Sequence, residues 1–412
     1  MGWCRFFCPF LEGKTLCRSD FPPLKGRLDG DNTMTEIYLD NSATTRVDPQ
    51  AAACALQLME EEYGNPSSLH RKGFAAQLRL DKAREQLAAV LGVTGGEILF
   101  TGSGSEGNNL AIQGTALVQK RKKGSMVVNA AEHSSVLETM KALEGDGWEI
   151  RRIAPLADGR PDTEALAAAV DGTTRLVTVG AVNSETGAMA EIAALSEECK
   201  LRNPQALLHV DGVQAFARMP LRPKAMGIDL LTFSGHKINA PKGVGGLYVR
   251  KGVRLLPVLY GGGQEKGLRP GTENVPSCCA MALAAQLLWK DQEAQWKKWV
   301  ALRQAFLEEI EKIPGACINS PLSGAPYIVN FSVVGVRSET MIHFLEEKGI
   351  YLSSGSACSR GAKSHVLAAM GLDDRRIDSA LRVSMGKFTT EEELAAAARA
   401  IGEGAATLAR RR

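Results

Sequence analysis

The chain has 412 residues, 44% hydrophobic and 23% charged, with a net charge of +3. It is too long for one compact core and suits two or three domains, and its near-balanced charge gives no sign of a nucleic-acid or membrane-surface partner. Nine cysteines, an odd number in a long chain without a secretory leader pattern, argue against a disulfide framework, and no apolar run approaches the roughly 20 residues of a membrane helix, so reduced thiols in a cytoplasm are expected.

Residues 1–33 carry three cysteines and three prolines with mixed charge and no periodicity. They are expected to be an extension without fixed structure, or to precede a working start at Met34. From residue 50 onward apolar runs alternate with helical periodicity. Helices are predicted over 51–62 and 74–91, the second stopped by Gly92. A strand over 97–100 leads through a Gly-rich turn to a helix over 109–119. Strands at 126–128, 149–153, 176–179, 206–210, 230–233 and 244–249 follow, with helices at 135–143, 163–170 and 192–200 among them. This alternation predicts an α/β fold with a mostly parallel, doubly wound sheet and active residues at strand ends.

The character changes near Pro276. One long helical stretch runs to about 313, with Trp296, Trp299, Leu302 and Phe306 at amphipathic spacing. A strand at 327–334, a helix at 339–347, a strand at 350–352, a Ser/Gly-rich loop, a strand at 381–384 and a helix at 391–408 complete a smaller α+β domain. No internal repeat is visible. Neither a CxxC pair nor an HExxH helix is present, so no metal site is expected.

Several residues stand where chemistry is done. Leu230-Leu231-Thr232-Phe233-Ser234-Gly235-His236-Lys237 ends an apolar strand in a turn presenting one lysine. Lysine condenses with aldehyde cofactors once its amine loses a proton, which burial or a cationic neighbour favours. Taken alone, the octapeptide reads as a surface lysine after a strand. Thr101-Gly102-Ser103-Gly104-Ser105-Glu106-Gly107 follows a strand and opens a helix, a natural anion cup. Gly102, Gly104 and Gly107 also match GxGxxG, but the acid expected about 20 residues on, at the end of the next strand, is missing. His133 lies just after a strand. Asp211, in His209-Val210-Asp211-Gly212-Val213-Gln214, ends another, where it either meets a ligand or caps a helix. Arg382 starts an apolar strand and is either a carboxylate grip or an ordinary edge arginine. Cys358 sits in Ser353-Ser354-Gly355-Ser356-Ala357-Cys358-Ser359-Arg360-Gly361, too polar for a core. With Arg360 beside it to favour the thiolate, it is the best nucleophile among the nine.

Together these pieces resemble the cysteine desulfurases, a branch of the class V aminotransferase family with the type I pyridoxal phosphate fold. The similarity runs from Ile37-Tyr38-Leu39-Asp40-Asn41-Ser42-Ala43-Thr44-Thr45 through Gly64-Asn65-Pro66-Ser67-Ser68 to Phe388-Thr389-Thr390-Glu391-Glu392. Its most specific part is the order and separation of the Ser234–Lys237 run and the Cys358 loop. The resemblance implies that Lys237 forms the Schiff base with pyridoxal 5'-phosphate and moves the Cα proton. It implies that His133 stacks on the ring, Asp211 pairs with the ring nitrogen and Gln214 reaches the phenolic oxygen. Gly104, Ser105, Ser234 and His236 would hold the phosphate, and Thr272 would reach the phosphate in the other subunit of a homodimer. Arg382 would bind the substrate carboxylate, with Asn65 also at the substrate. Cys358 would take sulfur from L-cysteine as a persulfide, leaving L-alanine, and pass it to an acceptor protein for iron–sulfur cluster assembly or tRNA thiolation. The implied organisation is an N-terminal segment over 34–48 joining the small domain, a large cofactor-binding domain over 49–290 and a small domain over 291–412.

The chain departs from the family in places. Where the family has two adjacent asparagines near the phenolic oxygen, it reads Asn183-Ser184-Glu185, so either Ser184 or Asn183 makes that contact. Gly104-Ser105 replaces Ala-Thr in the phosphate turn. The stretch from Cys358 to Leu367 is slightly shorter than in the housekeeping iron–sulfur branch, which bears on the acceptor. Other readings are a selenocysteine lyase or class V aminotransferase on the same fold, an NAD oxidoreductase using 102–107, and a scaffold without turnover.

Overall fold

A computed structural model of the chain describes residues 36–354 and 363–408. The expectations for residues 1–33 and for Cys358 lie outside the described residues. From Ile37 onward the described residues belong to one compact unit.

In chain order, β1 (Ile37–Tyr38), α1 (Pro49–Glu60) and α2 (Arg71–Leu91) come before the main sheet. Next are β2 (Ile98–Thr101), α3 (Gly104–Val118), β3 (Ser125–Asn129), α4 (Ser134–Gly145), β4 (Glu149–Ile153) and α5 (Thr163–Ala168). Then follow β5 (Thr174–Gly180), α6 (Ile192–Arg202), β6 (Leu207–Asp211), β7 (Leu230–Ser234) and β8 (Gly245–Val249). The rest is α7 (Val275–Lys290), α8 (Gln292–Ile310), β9 (Ala316–Ile318), β10 (Ile328–Val333), α9 (Ser338–Glu346) and β11 (Ile350–Tyr351). Last come α10 (His365–Ala369), α11 (Asp374–Asp378), β12 (Ala380–Ser384) and α12 (Glu391–Leu408).

The main sheet has seven strands in the order β2-β8-β7-β6-β5-β3-β4. Neighbours are parallel except at β8, which runs against both β2 and β7. The predicted doubly wound sheet is therefore the observed one. Its central strands are buried on both faces because successive side chains point to opposite sides. Val127, Val177 and Leu231 join one hydrophobic core, while Met126, Val128, Leu176 and Leu230 join the other. A three-stranded sheet, β12-β10-β9, is antiparallel, and β1 pairs with β11 in parallel.

Two predicted elements differ in outline. The helix expected over 109–119 begins five residues earlier, at Gly104. Ser103 Oγ caps the Glu106 N–H and Glu106 Oε2 reaches back to the Gly102 N–H, so capping makes helix out of a glycine-rich turn. The single stretch expected from Pro276 to 313 is two helices, α7 and α8, broken at Asp291, whose backbone leaves the helical region. On α8 the predicted stripe faces inward, with Trp299, Leu302 and Phe306 buried. Gly92 ends α2 in the left-handed conformation at φ 69°, as its position predicts. The short elements β9, α10 and α11 carry too few residues to show a period.

Candidate active site

The parallel strands β3, β5, β6 and β7 end at one cavity of about 880 Å³. Strand direction alone brings together residues far apart in sequence. The cavity wall includes Gly104, Ser105, His133, Asn183, Ser184, Asp211, Gln214, Ser234, His236, Lys237 and Arg382. Asn65 and Thr272 stand elsewhere. Asn65 is exposed between α1 and α2, its Oδ1 accepting from the Ser67 N–H at 2.9 Å, and Thr272 is exposed before α7.

Lys237 follows β7 directly. Its Nζ donates to the Ala43 carbonyl at 2.7 Å and to the Ser42 carbonyl, while Arg218 Nη2 grips its own backbone carbonyl. Those acceptors belong to a strap formed by residues 40–45. Thr45 N–H donates to the His236 carbonyl at 2.9 Å, Gln214 Nε2 to the Ser42 carbonyl at 3.0 Å, and Asn41 Nδ2 to the Ser384 carbonyl at 2.9 Å. The strap thus ties the main sheet to β12. It explains why the 37–45 motif belongs to the site, although no side chain in it suggests chemistry.

Asp211 ends β6. Its Oδ1 accepts from the Val213 N–H at 2.9 Å and its Oδ2 from Asn108 Nδ2 at 2.7 Å. His133 caps α4, and burial, the largest influence, lowers its pKa. His236 is pushed down to about 4, first by burial and then by the charges of Lys237 and Lys242, so it is neutral at ordinary pH. Arg382 is buried, with Nη2 on Asp40 Oδ1 at 2.7 Å and Nη1 on the Ser184 carbonyl at 3.0 Å. Of the two candidates in the Asn183-Ser184 pair, Asn183 spends its amide locally. Its Nδ2 donates to the Ala131 carbonyl at 2.9 Å, and its Oδ1 accepts from the Glu185 and Thr186 N–H groups.

One corner of the cavity fits a phosphate. The fifteen-residue helix α3 starts there with its N–H groups and dipole aimed inward. Ser234 Oγ is buried with no hydrogen-bond partner among the described residues. A Cβ on Gly104 would lie 2.7 Å from Val213 Cγ2 and 3.4 Å from Ser234 Cβ, so this helix start comes close to β6 and β7 only as glycine. Elsewhere in the wall, the buried Gln214 Oε1 likewise has no partner among the described residues. An anion at α3 and a polar ring reaching Asp211 and Gln214 fit these donors and acceptors.

Sequence reasoning gave no role to Glu132, beside His133. It is buried, its carboxyl bonded by Asn129 Nδ2 at 2.8 Å and by the Gly180 N–H. Burial, followed by those opposing bonds and the Asp211 charge, leaves its pKa at about 7. The folded protein therefore keeps a proton that the unfolded chain loses above about pH 4.5, and this group's contribution to stability falls as pH rises to about 7. Glu132→Gln is expected to remove that fall. Relative to wild type, its unfolding free energy should gain up to about 3 kcal/mol between pH 4.5 and 8, measured by denaturant titration. A constant difference would refute the assignment.

The Aminotransferase class-V family profile matches residues 37–396. A cysteine desulfurase of Nostoc sp. is 40% identical over 365 residues, covering 88% of this chain and 90% of the relative. A solved NifS-like protein superposes with a TM-score of 0.85 at 36% identity, covering 90% of this chain and 99% of its own. SspA, solved in complex with cysteine, gives 0.77 at 30% identity, covering 86% and 100%. The strand-end site and these likenesses agree: the chain belongs to the class-V aminotransferase family and, within it, to the cysteine desulfurases.

Proposed function

We propose that the cavity holds pyridoxal 5'-phosphate and that the protein takes sulfur from L-cysteine, releasing L-alanine and leaving a persulfide on Cys358. The observation that carries this reading is the convergence of Lys237, Asp211 and His133 on one cavity with an anion cup at α3. The bound aldehyde supplies a Schiff-base link to an amine and a sink for an electron pair.

The chain's residues supply the rest. Gly104 and Ser105 would hold the phosphate with Ser234 and His236. Asp211 takes the protonated ring nitrogen, and His133 covers one ring face. Ser184 would donate to the phenolic oxygen, and Gln214 would do so by turning its Nε2 away from the Ser42 carbonyl, whereas both ends of the Asn183 amide are committed elsewhere. Lys237, positioned by the strap, takes the Cα proton of the substrate and returns it. Arg382 binds the substrate carboxylate, which must share the guanidinium with Asp40. The Cys358 thiolate forms an S–S bond to the substrate sulfur as the substrate's Cβ–S bond breaks. The carbon fragment keeps that electron pair, gains a proton and leaves as alanine.

Within the one compact unit, a division at about residue 290 would follow the two sheets, the seven-stranded one inside 49–290 and the three-stranded one inside 291–412. A homodimer fits too. Leu56, Met59, Tyr63, Leu69, Phe74 and Leu78, on and between α1 and α2, are exposed apolar side chains that a second copy could cover. Ser67 and Gln77 share a cleft with residues 263–266 and Glu273, beside Thr272, which would serve the second copy's phosphate. Asn65, whose Oδ1 accepts from the Ser67 N–H, would meet substrate only through such a pairing. Among the described residues Cys54, Cys199, Cys278, Cys279 and Cys317 are free thiols, as suits a cytoplasm, and no helix is long and apolar enough to cross a membrane. The acceptor would be an iron–sulfur scaffold or a tRNA-thiolating enzyme.

The test is incubation of the purified, pyridoxal phosphate-loaded protein with L-cysteine. Alanine should appear mole for mole with transferred sulfur. Pyruvate, or no amino-acid product, would refute the reaction.

A further inference from the structure

A buried chain of hydrogen bonds joins the Asp211 carboxylate to the His133 ring, and its donors and acceptors settle their own directions. Asn108, in the second turn of α3, is 1% exposed. Its Nδ2 carries two hydrogens and has two acceptors, Asp211 Oδ2 at 2.7 Å and Ser135 Oγ at 2.9 Å. An ionised carboxylate only accepts, so the amide must turn its NH2 this way. Ser135 Oγ then accepts from Asn108, and its own hydrogen has His133 Nδ1 at 2.8 Å. The Ser135 backbone N–H reaches the same nitrogen at 3.1 Å, because His133 is the N-cap of α4. Nδ1 thus receives both Ser135 donors, and the neutral ring carries its proton on Nε2.

We propose that Ser135 and Asn108 are positioning residues that hold His133 with Nδ1 unprotonated and couple that state to Asp211. The geometry stands without a cofactor, but its consequence for turnover rests on the function proposed above. A proton added at Nδ1 would break both bonds from Ser135 and open the cap of α4. His133 is thereby kept neutral against a bound ring, and any proton it exchanges passes through Nε2. Asp211 meanwhile stays fixed for a ring nitrogen, since Asn108 and Val213 hold both its oxygens. Burial presses His133 toward the neutral form most strongly. Around it, Asp211 and Glu185 favour the charged form, and Lys237 and His365 oppose it.

Nitrogen-15 NMR of the full-length protein, labelled at histidine and loaded with pyridoxal phosphate, tests this. The chain has six histidines, and His133→Gln identifies the signal. In wild type, Nδ1 should show the shift of an unprotonated nitrogen and Nε2 that of a protonated one. Ser135→Ala should raise the His133 midpoint by about 0.5–1 pH unit, the worth of one lost hydrogen bond. Asn108→Leu should raise it less, and Ser135→Thr should restore it. A wild-type proton on Nδ1, or a midpoint unmoved in both Ser135→Ala and Asn108→Leu, overturns the proposal. The wild-type spectrum decides alone if the variants do not fold. Failure of the cofactor reading shows separately, as a wild-type protein that gains no visible absorbance with pyridoxal phosphate.

Discussion

Lys237→Ala is expected to give a folded protein that stays colourless when pyridoxal phosphate is added. A Schiff base needs a primary amine, and of the two lysines on the cavity wall Lys237 stands at the end of β7 while Lys363 pairs with Asp374. The fold should survive. The lost bonds to Ser42 and Ala43 are two among several, and Thr45–His236, Gln214–Ser42 and Asn41–Ser384 still fasten the strap. Turnover should fall by at least ~10³-fold, because the same amine moves the Cα proton. Absorption spectra with and without pyridoxal phosphate, and alanine formed from L-cysteine, are the measurements. A variant that keeps the visible band would place the Schiff base on another lysine.

Cys358→Ala is expected to part the two halves of the reaction. The visible band should match wild type, while the persulfide disappears from the mass spectrum of cysteine-treated protein and sulfur release falls by roughly a hundredfold or more. Four described cysteines are poor substitutes. Burial raises the thiols of Cys54 and Cys199, the latter to about 11, pushes Cys279 up to about 12 and lifts Cys278 well above its ordinary value. Cys358 itself lies outside the described residues, but the chain on either side of its segment is rooted at the site. Ser353 pairs with the backbone of Arg382, Ser364 Oγ donates to Glu185, and His365 Nε2 meets the Glu132 carbonyl at 2.9 Å. An unchanged rate of sulfide release in the variant would remove Cys358 from the mechanism.

The strands that carry the site were legible because they are short apolar runs ending in turn residues. Lys237, Asp211 and His133 were conspicuous because each polar group interrupts the chain where such a run stops. Arg382 was ambiguous in sequence. Its partner Asp40 is 342 positions away, and nothing local indicates that its guanidinium is buried on that carboxylate. Asn108, Ser135 and Glu132 gave no signal either. Asn108 is one polar residue in a helix, and Glu132 reads as a surface acid until Gly180 and Asn129 close over it.

Periodicity and turn chemistry in the sequence determined the alternation of elements, the doubly wound sheet and which residues stand at strand ends, because these depend on neighbours a few positions apart. Only the tertiary structure decided which strand ends meet, that residues 40–45 lie across Lys237, and that Asn108 joins Asp211 to Ser135. Hydrogen bonds between distant segments depend on sheet order and helix docking, and a linear chain carries neither until its core has been buried.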